Sequence, residues 1–306
     1  CPTWSIDRRY GRHQPAPTTA PLPPRDRAIA VVAEIDRRQL LTTVNDVAAR
    51  CRIAPGMPLA KARAILPDLA VLPADPAGDL ASLRALGLWA QRFSPAVALT
   101  PPDGLALDVT GVTHLFGGED AFLQGLAARL GAMGVKARLA LADGLAAAWA
   151  LARFAPQDVI LAAPGANREM LAPLSIRALR LDAAIVAALQ RLGIACIADL
   201  YAMPRAALAR RFGADLALRL DQALGQAAEA LDLLPEPEPI RHALNFVEPI
   251  AAPEHLARAL EDGIAEICGL LEQRQLGLRR LDIAFVRIDG SPQLLGIGTA
   301  RPPRLA

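Results

Sequence analysis

Residues 102–111 read Pro-Asp-Gly-Leu-Ala-Leu-Asp-Val-Thr-Gly. Apolar residues at every second position of Leu105–Val109 predict a strand with one buried face. The prolines and glycine in front of it predict a tight turn, so we expect a β-hairpin with Val97–Leu99. Asp103 then lies in the turn as an exposed side chain, and Asp108 lies at the far end of the strand. Acids in such places are most often ordinary turn and strand-end residues.

The length, composition and charge of the chain limit the classes of protein to which it can belong. Its 306 residues exceed the usual size of one hydrophobic core, which predicts two or more domains. The chain is 53% apolar and 4% aromatic, so we expect cores built mostly from aliphatic helices. The formal net charge is only +2, and any nucleic-acid surface must therefore be local.

The cysteines and the hydropathy pattern address metals and membranes. The four cysteines form no C-x-x-C pair and have no metal-ligand spacing with the four histidines, which predicts reduced thiols and no metal site. The sequence contains no run of 18 apolar residues and no signal peptide, which predicts a soluble, cytoplasmic protein without a membrane partner. The first residue is Cys1, so we expect the natural N-terminus to lie upstream.

Hydrophobic periodicity predicts both strands and helices along the chain, a mixture compatible with the α+β class that the family resemblance described below implies. Residues 235–239 carry three alternating prolines and predict an extended linker. The predicted strands are 28–33, 40–44, 67–73, the hairpin, 135–141, 244–250, 278–288 and 293–299. Two short helices are predicted to end at Arg50 and Leu66. Longer helices are predicted over 79–92, 119–130, 143–154 and 182–192, and another over the apolar positions between Leu256 and Leu271.

Two motifs in the first quarter of the chain carry a family resemblance. Residues 42–50 read TTVNDVAAR and residues 55–62 read PGMPLAKA. Their order resembles the fingers region of Y-family, UmuC-type translesion DNA polymerases. The resemblance implies that Arg50 is the remnant of a nucleotide-binding site that grips the triphosphate of the incoming nucleotide. Val47 and Ala48 stand where the family has a tyrosine and a glutamate.

In the same resemblance, the hairpin corresponds to the catalytic part of the palm. Asp103 falls on the catalytic aspartate, Gly104 on the catalytic glutamate and Asp108 on the strand-end aspartate. Two-metal nucleotidyl transfer needs several converging carboxylates, and glycine supplies none. The opening acidic strand of the family is also absent from residues 1–13. We therefore expect vestigial catalytic positions and no cofactor, with Mg²⁺ required only if the chain is an active polymerase.

Further motifs resemble the catalytically inactive ImuB-type branch of that family. They are a Trp-x-x-Asp-Arg opening, the run Asp108–Glu119 and the run Ala148–Arg153. The resemblance covers nearly the whole chain and implies a polymerase-like palm (1–13 and 79–165), fingers (14–78), a helix-hairpin-helix-like thumb (166–234), the linker and an incomplete little finger (240–306).

The resemblance also implies where DNA binds. In the thumb, Leu179–Asp182 replaces the usual Gly-x-Gly hairpin of the family, so arginines would have to contact the phosphates instead. A basic sheet face in the little finger would track DNA without base preference. The candidate DNA-binding residues are Arg205, Arg210, Arg211, Arg279, Arg280, Arg287 and Arg301.

The sequence thus predicts a non-catalytic polymerase homologue that binds damaged primer-template DNA and scaffolds an error-prone translesion complex. Two alternatives stay open: a weakly active translesion polymerase that uses Asp103 and Asp108, and a plain helix-hairpin-helix DNA-binding module. By resemblance, the partners are DNA, the sliding clamp, an ImuA-like RecA-related protein and an error-prone C-family polymerase.

Overall fold

The computed structural model describes residues 1–10, 22–235, 240–273, 277–278 and 280–298. The chain divides into two compact units, Cys1–Glu236 and Pro237–Ala306, and each is described by itself. Helices and strands mix in both units, so the predicted α+β class is confirmed.

A three-stranded sheet occupies the first part of unit 1. Its strands and the helices that flank them are α1 (Trp4–Asp7), β1 (Ile29–Ile35), β2 (Arg38–Val44), α2 (Asp46–Arg50), α3 (Leu59–Ile65) and β3 (Ala70–Pro73). β1 pairs antiparallel with β2 and parallel with β3. Alternate residues of β1 face opposite sides of the sheet. Ala30 packs with α2 and α3, whereas Ile29 and Val31 pack with Ile6 of α1.

The predicted hairpin follows, with one long helix on each side of it in the sequence. The elements are α4 (Pro76–Ala90), β4 (Val97–Thr100), β5 (Gly104–Leu107) and α5 (Glu119–Ala132). β4 and β5 pair antiparallel from Val97↔Leu107 to Thr100↔Gly104. Leu83 and Leu86 of α4 share a buried cluster with Phe122 and Leu126 of α5. This cluster holds the two helices and the hairpin together.

The rest of unit 1 is mainly helical. Its elements are β6 (Leu139–Leu141), α6 (Leu145–Phe154), β7 (Val159–Leu161), α7 (Asn167–Leu171), α8 (Ala183–Arg191), α9 (Arg205–Phe212) and α10 (Ala214–Ala223), with 3₁₀ turns at Ile176–Leu179 and Ile197–Leu200. β6 and β7 pair in parallel. One buried cluster contains side chains from α6 to α10, among them Leu151, Leu189 and Leu208. After α10 the chain returns to the hairpin, where the backbone nitrogen of Leu234 donates to the carbonyl oxygen of Val97 at 2.7 Å.

Unit 2 contains α11 (Pro253–Gln273) and a hairpin of β8 (Arg280–Val286) and β9 (Pro292–Gly298). The helix and the hairpin were predicted, but the predicted strand 244–250 was wrong. That segment is irregular, and Phe246 and Val247 are exposed. β8 and β9 pair only with each other among the described residues, so the segment takes no ladder hydrogen bonds from them.

Within the described ranges, no helix is both long and apolar enough to cross a membrane.

Candidate functional site

The β4–β5 hairpin presents Asp103, Gly104 and Asp108 within six residues, in different surroundings. Asp103 lies in the turn, Gly104 opens β5 and Asp108 follows its last residue. The backbone nitrogen of Asp108 donates to the carbonyl oxygen of Ala96 at 2.9 Å. This backbone hydrogen bond extends the pairing of the hairpin to the far end of β5.

The carboxylate of Asp103 forms a two-pronged ion pair with Arg153 of α6. Nη2 of Arg153 donates to Oδ1, and Nη1 donates to Oδ2 at 3.3 Å. The side chains are only 19% (Asp103) and 31% (Arg153) exposed. A guanidinium that engages both carboxylate oxygens forms one of the stronger ion-pair geometries. The prediction of an exposed turn side chain at Asp103 was therefore wrong.

Arg153 is itself held by an aromatic ring. Its guanidinium carbon lies 4.9 Å from the ring centroid of Trp149, one helical turn earlier on α6. Arg180 approaches the same ring at 5.4 Å and forms an ion pair with Glu229 at 2.6 Å. Cation–π contacts join these groups electrostatically. A connected set of charged and aromatic side chains thus runs from the hairpin turn to Glu229.

Gly104 has neither a carboxylate nor room for one in this conformation. Thr100 is its cross-strand partner. A Cβ added at position 104 would collide with the hydroxyl of Thr100 and would lie 3.0 Å from the Thr100 carbonyl oxygen. Any side chain here would require the Thr100 hydroxyl to rotate away and would remain tight against the Thr100 carbonyl.

Asp108 is exposed and serves a local turn. Its Oδ1 accepts a hydrogen bond from the backbone nitrogen of Thr110 at 3.0 Å. Hydrogen bonds from the Thr110 side chain and backbone lower the pKa of the Asp108 carboxyl. This Asx-type turn also ends β5 at Leu107, two residues before the predicted end.

These residues do not fit the two metal ions of a polymerase palm. The ions lie about 3.5–4 Å apart and need converging carboxylates. Asp103 and Asp108 are five residues apart on extended chain, or roughly 16 Å between their Cα atoms at about 3.3 Å per residue. Asp103 is paired with Arg153, and Gly104 offers no ligand. Among the residues that the structure describes, no group of three His, Cys, Asp or Glu side chains could hold a metal ion.

Arg50, the expected nucleotide-binding remnant, is the last residue of α2 and is exposed. Val47 and Ala48, at the expected tyrosine and glutamate positions, pack in the core beside β1, and Ala48 is completely buried. A glutamate at position 48 would place its carboxylate in that buried apolar cluster. No carboxylate of the described chain forms a salt bridge with Arg50.

The candidate DNA-binding arginines of the helical region differ in availability. Arg205, at the start of α9, forms an ion pair with Asp221 at 2.6 Å. Arg210 and Arg211 lie in the last turn of the same helix and are exposed. The helix dipole stabilises positive side chains near the C-terminus of a helix, so the position of these two arginines does not by itself indicate DNA binding. Of the three, Arg210 and Arg211 have no acidic partner among the described residues, and the guanidinium of Arg211 lies 5.5 Å from the ring centroid of Phe212.

The Leu179–Asp182 turn differs from a phosphate-binding hairpin in charge. Arg180 takes a left-handed conformation, with φ of +57°, and its side chain points to Glu229 and Trp149. Asp182 is the exposed N-cap of α8. Its carboxylate makes no capping hydrogen bond, but a negative charge beside the helix N-terminus repels an incoming phosphate. The weak phosphate docking expected at this turn stays a prediction.

In the C-terminal unit, Arg280 forms a salt bridge with Asp282, two residues along the same strand, at 2.8 Å. Arg287 is exposed in the β8–β9 turn. The other two arginines predicted to bind DNA there, Arg279 and Arg301, lie outside the described residues. The predicted basic sheet face thus stays a prediction, with one of its members already neutralised by a neighbouring acid.

The sequence patterns did not predict the contacts that Arg153 and the Trp-x-x-Asp-Arg opening make in the fold. Trp149 and Arg153 have the i, i+4 spacing of helix neighbours, which was a readable signal. In the opening, the Nε1 of buried Trp4 donates to the carbonyl oxygen of Asp79 at 2.9 Å. Arg8 forms ion pairs with Asp75 and Asp79. The opening motif therefore fastens α1 to α4.

The fold and the hairpin together are those of a polymerase-like protein, and the acids of the hairpin do not converge on a metal ion. Residues 23–157 match the model of the impB/mucB/samB family. The chain is 49% identical over 247 residues to protein ImuB of Caulobacter vibrioides, in strain NA1000 / CB15N and in strain ATCC 19089 / CIP 103742 / CB 15. The match covers 81% of this chain and 54% of those relatives, so the chain spans about half of their length.

Solved structures of Y-family DNA polymerases share the fold. DinB from Sulfolobus solfataricus superposes with a TM-score of 0.55 at 17% identity, over 90% of this chain and 81% of that one. An insertion ternary complex of Dbh DNA polymerase gives 0.53 at 16% identity with the same coverage. At such low identity the likeness shows the fold alone. The predicted resemblance to Y-family polymerases of the ImuB type is confirmed.

Proposed function

We propose that this chain is a non-catalytic Y-family homologue that binds damaged primer-template DNA and scaffolds an error-prone translesion complex during damage-induced mutagenesis. The observation that carries the proposal is the state of the hairpin. Arg153 engages both oxygens of Asp103, and Gly104 stands at the next position. A two-metal reaction has too few ligands there.

DNA binding is supported by exposed arginines that have no acidic partner among the described residues. Arg50, Arg210 and Arg211 are of this kind. A guanidinium can contact a phosphate with two parallel hydrogen bonds. Because such contacts ignore the base, we expect DNA of any sequence to bind, with an affinity that falls as salt rises. We also propose the domains that the family resemblance implies: the palm at 1–13 and 79–165, the fingers at 14–78, the thumb at 166–234 and the little finger at 240–306.

The direct test is primer extension beside a DNA-binding assay. The purified chain should extend no primer with Mg²⁺ or Mn²⁺, yet shift a primer-template duplex in a gel. Asp103→Ala is the control, because the weakly active polymerase is the second candidate and Asp103 is its first ligand. Template-directed incorporation that disappears in Asp103→Ala would establish that second candidate. Failure to shift DNA would remove the binding part of the proposal.

We also propose cytoplasmic partners for the whole protein, from the family resemblance and the ImuB relatives. They are the sliding clamp, an ImuA-like RecA-related protein and an error-prone C-family polymerase. The test is pairwise co-purification of each purified partner with this chain and with a longer form that continues past Ala306. A helix-hairpin-helix module alone is a poorer account, because polymerase structures superpose on 90% of the chain.

A further inference from the structure

We infer that the palm hairpin has replaced a divalent metal ion with a resident guanidinium. Arg153 holds Asp103 as its permanent counter-ion, and the hairpin takes up no divalent cation at that carboxylate. A chain without catalytic activity could still bind a divalent cation at Asp103. Here, Arg153 balances the charge of that carboxylate instead.

The geometry at Asp103 carries the first step. Mg²⁺ requires oxygen ligands at about 2.0–2.1 Å in near-octahedral arrangement. Both oxygens of Asp103 instead accept hydrogen bonds from Arg153. A guanidinium keeps its charge throughout the pH range in which proteins fold. The ion could therefore bind only after Arg153 had moved away with its charge intact.

The surroundings of Arg153 oppose that movement. Its guanidinium lies 4.9 Å from the ring centroid of Trp149, and Arg180 approaches the same ring at 5.4 Å. Glu229 in turn holds Arg180 at 2.6 Å. Release of Arg153 would therefore break its contact with Trp149 as well as its ion pair with Asp103.

The lack of a second ligand completes the argument. Thr100 lies beside Gly104, where a family carboxylate would stand. Asp108 is bonded to Thr110 and lies too far along the strand to share an ion with Asp103. A single carboxylate would have to bind the cation in competition with a guanidinium that is already seated.

The first experiment counts Mn²⁺ ions on the purified chain by the electron paramagnetic resonance of free Mn²⁺. The wild type and Asp103→Asn should bind the same number of ions with the same affinity. One additional saturable ion in the wild type, absent from Asp103→Asn, would overturn the inference. This result does not depend on DNA binding.

The second experiment is a double-mutant cycle in thermal unfolding. Arg153→Gln should lower the melting temperature, and adding Asp103→Asn should recover part of the loss, because it removes the unpaired carboxylate. Additive effects would overturn the pairing. If Arg153→Gln does not fold, Arg153→Lys replaces it in the cycle, since it keeps the charge but lacks the fork.

A third measurement links the inference to function and rests on the proposed DNA binding. At equal ionic strength, Mg²⁺ should not tighten the binding of primer-template DNA relative to EDTA, since no ion has to bridge Asp103 and phosphate, and Mg²⁺ competes with the arginines for the phosphates. Binding more than tenfold tighter in Mg²⁺, with the excess abolished in Asp103→Asn, would overturn the inference. Absence of DNA binding in both buffers would refute the proposed function, and the Mn²⁺ count would still decide this inference.

Discussion

Thr100 occupies the space that a side chain at Gly104 would need. The two residues face each other across β4 and β5. A Cβ on residue 104 would collide with the Thr100 hydroxyl and lie 3.0 Å from the Thr100 carbonyl oxygen. The catalytic glutamate expected from the family is thus missing, and Thr100 fills the space beside its position.

We predict that Gly104→Ala lowers the free energy of unfolding by about 1–3 kcal/mol, the usual cost of overpacking. Urea unfolding measures it. Gly131→Ala is the matched control, because Gly131 lies on α5 and an added Cβ there meets nothing within 4 Å. That variant should be neutral or stabilising by about 0.5–1 kcal/mol. Equal responses at the two positions would contradict the crowding at Thr100.

Arg8 should contribute strongly to stability. Its side chain is 8% exposed and pairs with Asp79, which is 13% exposed, and with the more exposed Asp75. Arg8→Met should cost roughly 3 kcal/mol, because it leaves a largely buried carboxylate without its cation. Lys136→Met breaks the exposed pair with Asp46 and should cost about 1 kcal/mol or less. Similar losses in both variants would show that burial does not govern these pairs.

The sequence predicts those features that depend on neighbouring residues. The period of two around Leu105 and the helix periodicity after Leu256 predict the hairpin and α11, because local chain geometry decides them. The missing carboxylate at Gly104 follows from residue type alone. The segment 244–250 has apolar residues suited to a strand, yet a strand also needs a partner. Arg153 is fifty residues from Asp103, and no local pattern predicts their ion pair.

The Asp108 carboxyl should titrate at lower pH than an ordinary aspartate, because Thr110 bonds its charged form and lowers its pKa. A lowered folded-state pKa gives stability that is fully present above the unfolded value of about 3.9 and is lost as the pH falls through the folded value. Thr110→Val removes the hydroxyl and should raise the Asp108 pKa measured by carboxyl NMR titration. Thr113→Val is the control; an equal shift there would exclude a specific role for Thr110.

Arg210 and Arg211 should matter for DNA binding more than their neighbour Arg205. They are exposed at the end of α9, whereas Arg205 is paired with Asp221 at 2.6 Å. We predict that Arg210→Ala with Arg211→Ala weakens binding equally for unrelated DNA sequences. The slope of log affinity against log salt should fall by about 0.9 for each phosphate that the variant no longer neutralises. Fluorescence anisotropy at several salt concentrations measures both quantities.

The controls for this last prediction separate phosphate binding from a change in net charge or in folding. Arg84→Ala removes one exposed charge from α4 and should leave the salt slope unchanged. Arg205→Ala should lower the melting temperature, because it leaves Asp221 unpaired, and should change the slope little. If the double variant keeps the wild-type slope, Arg210 and Arg211 do not contact phosphate, and their place at the C-terminus of α9 is explained by the helix dipole alone.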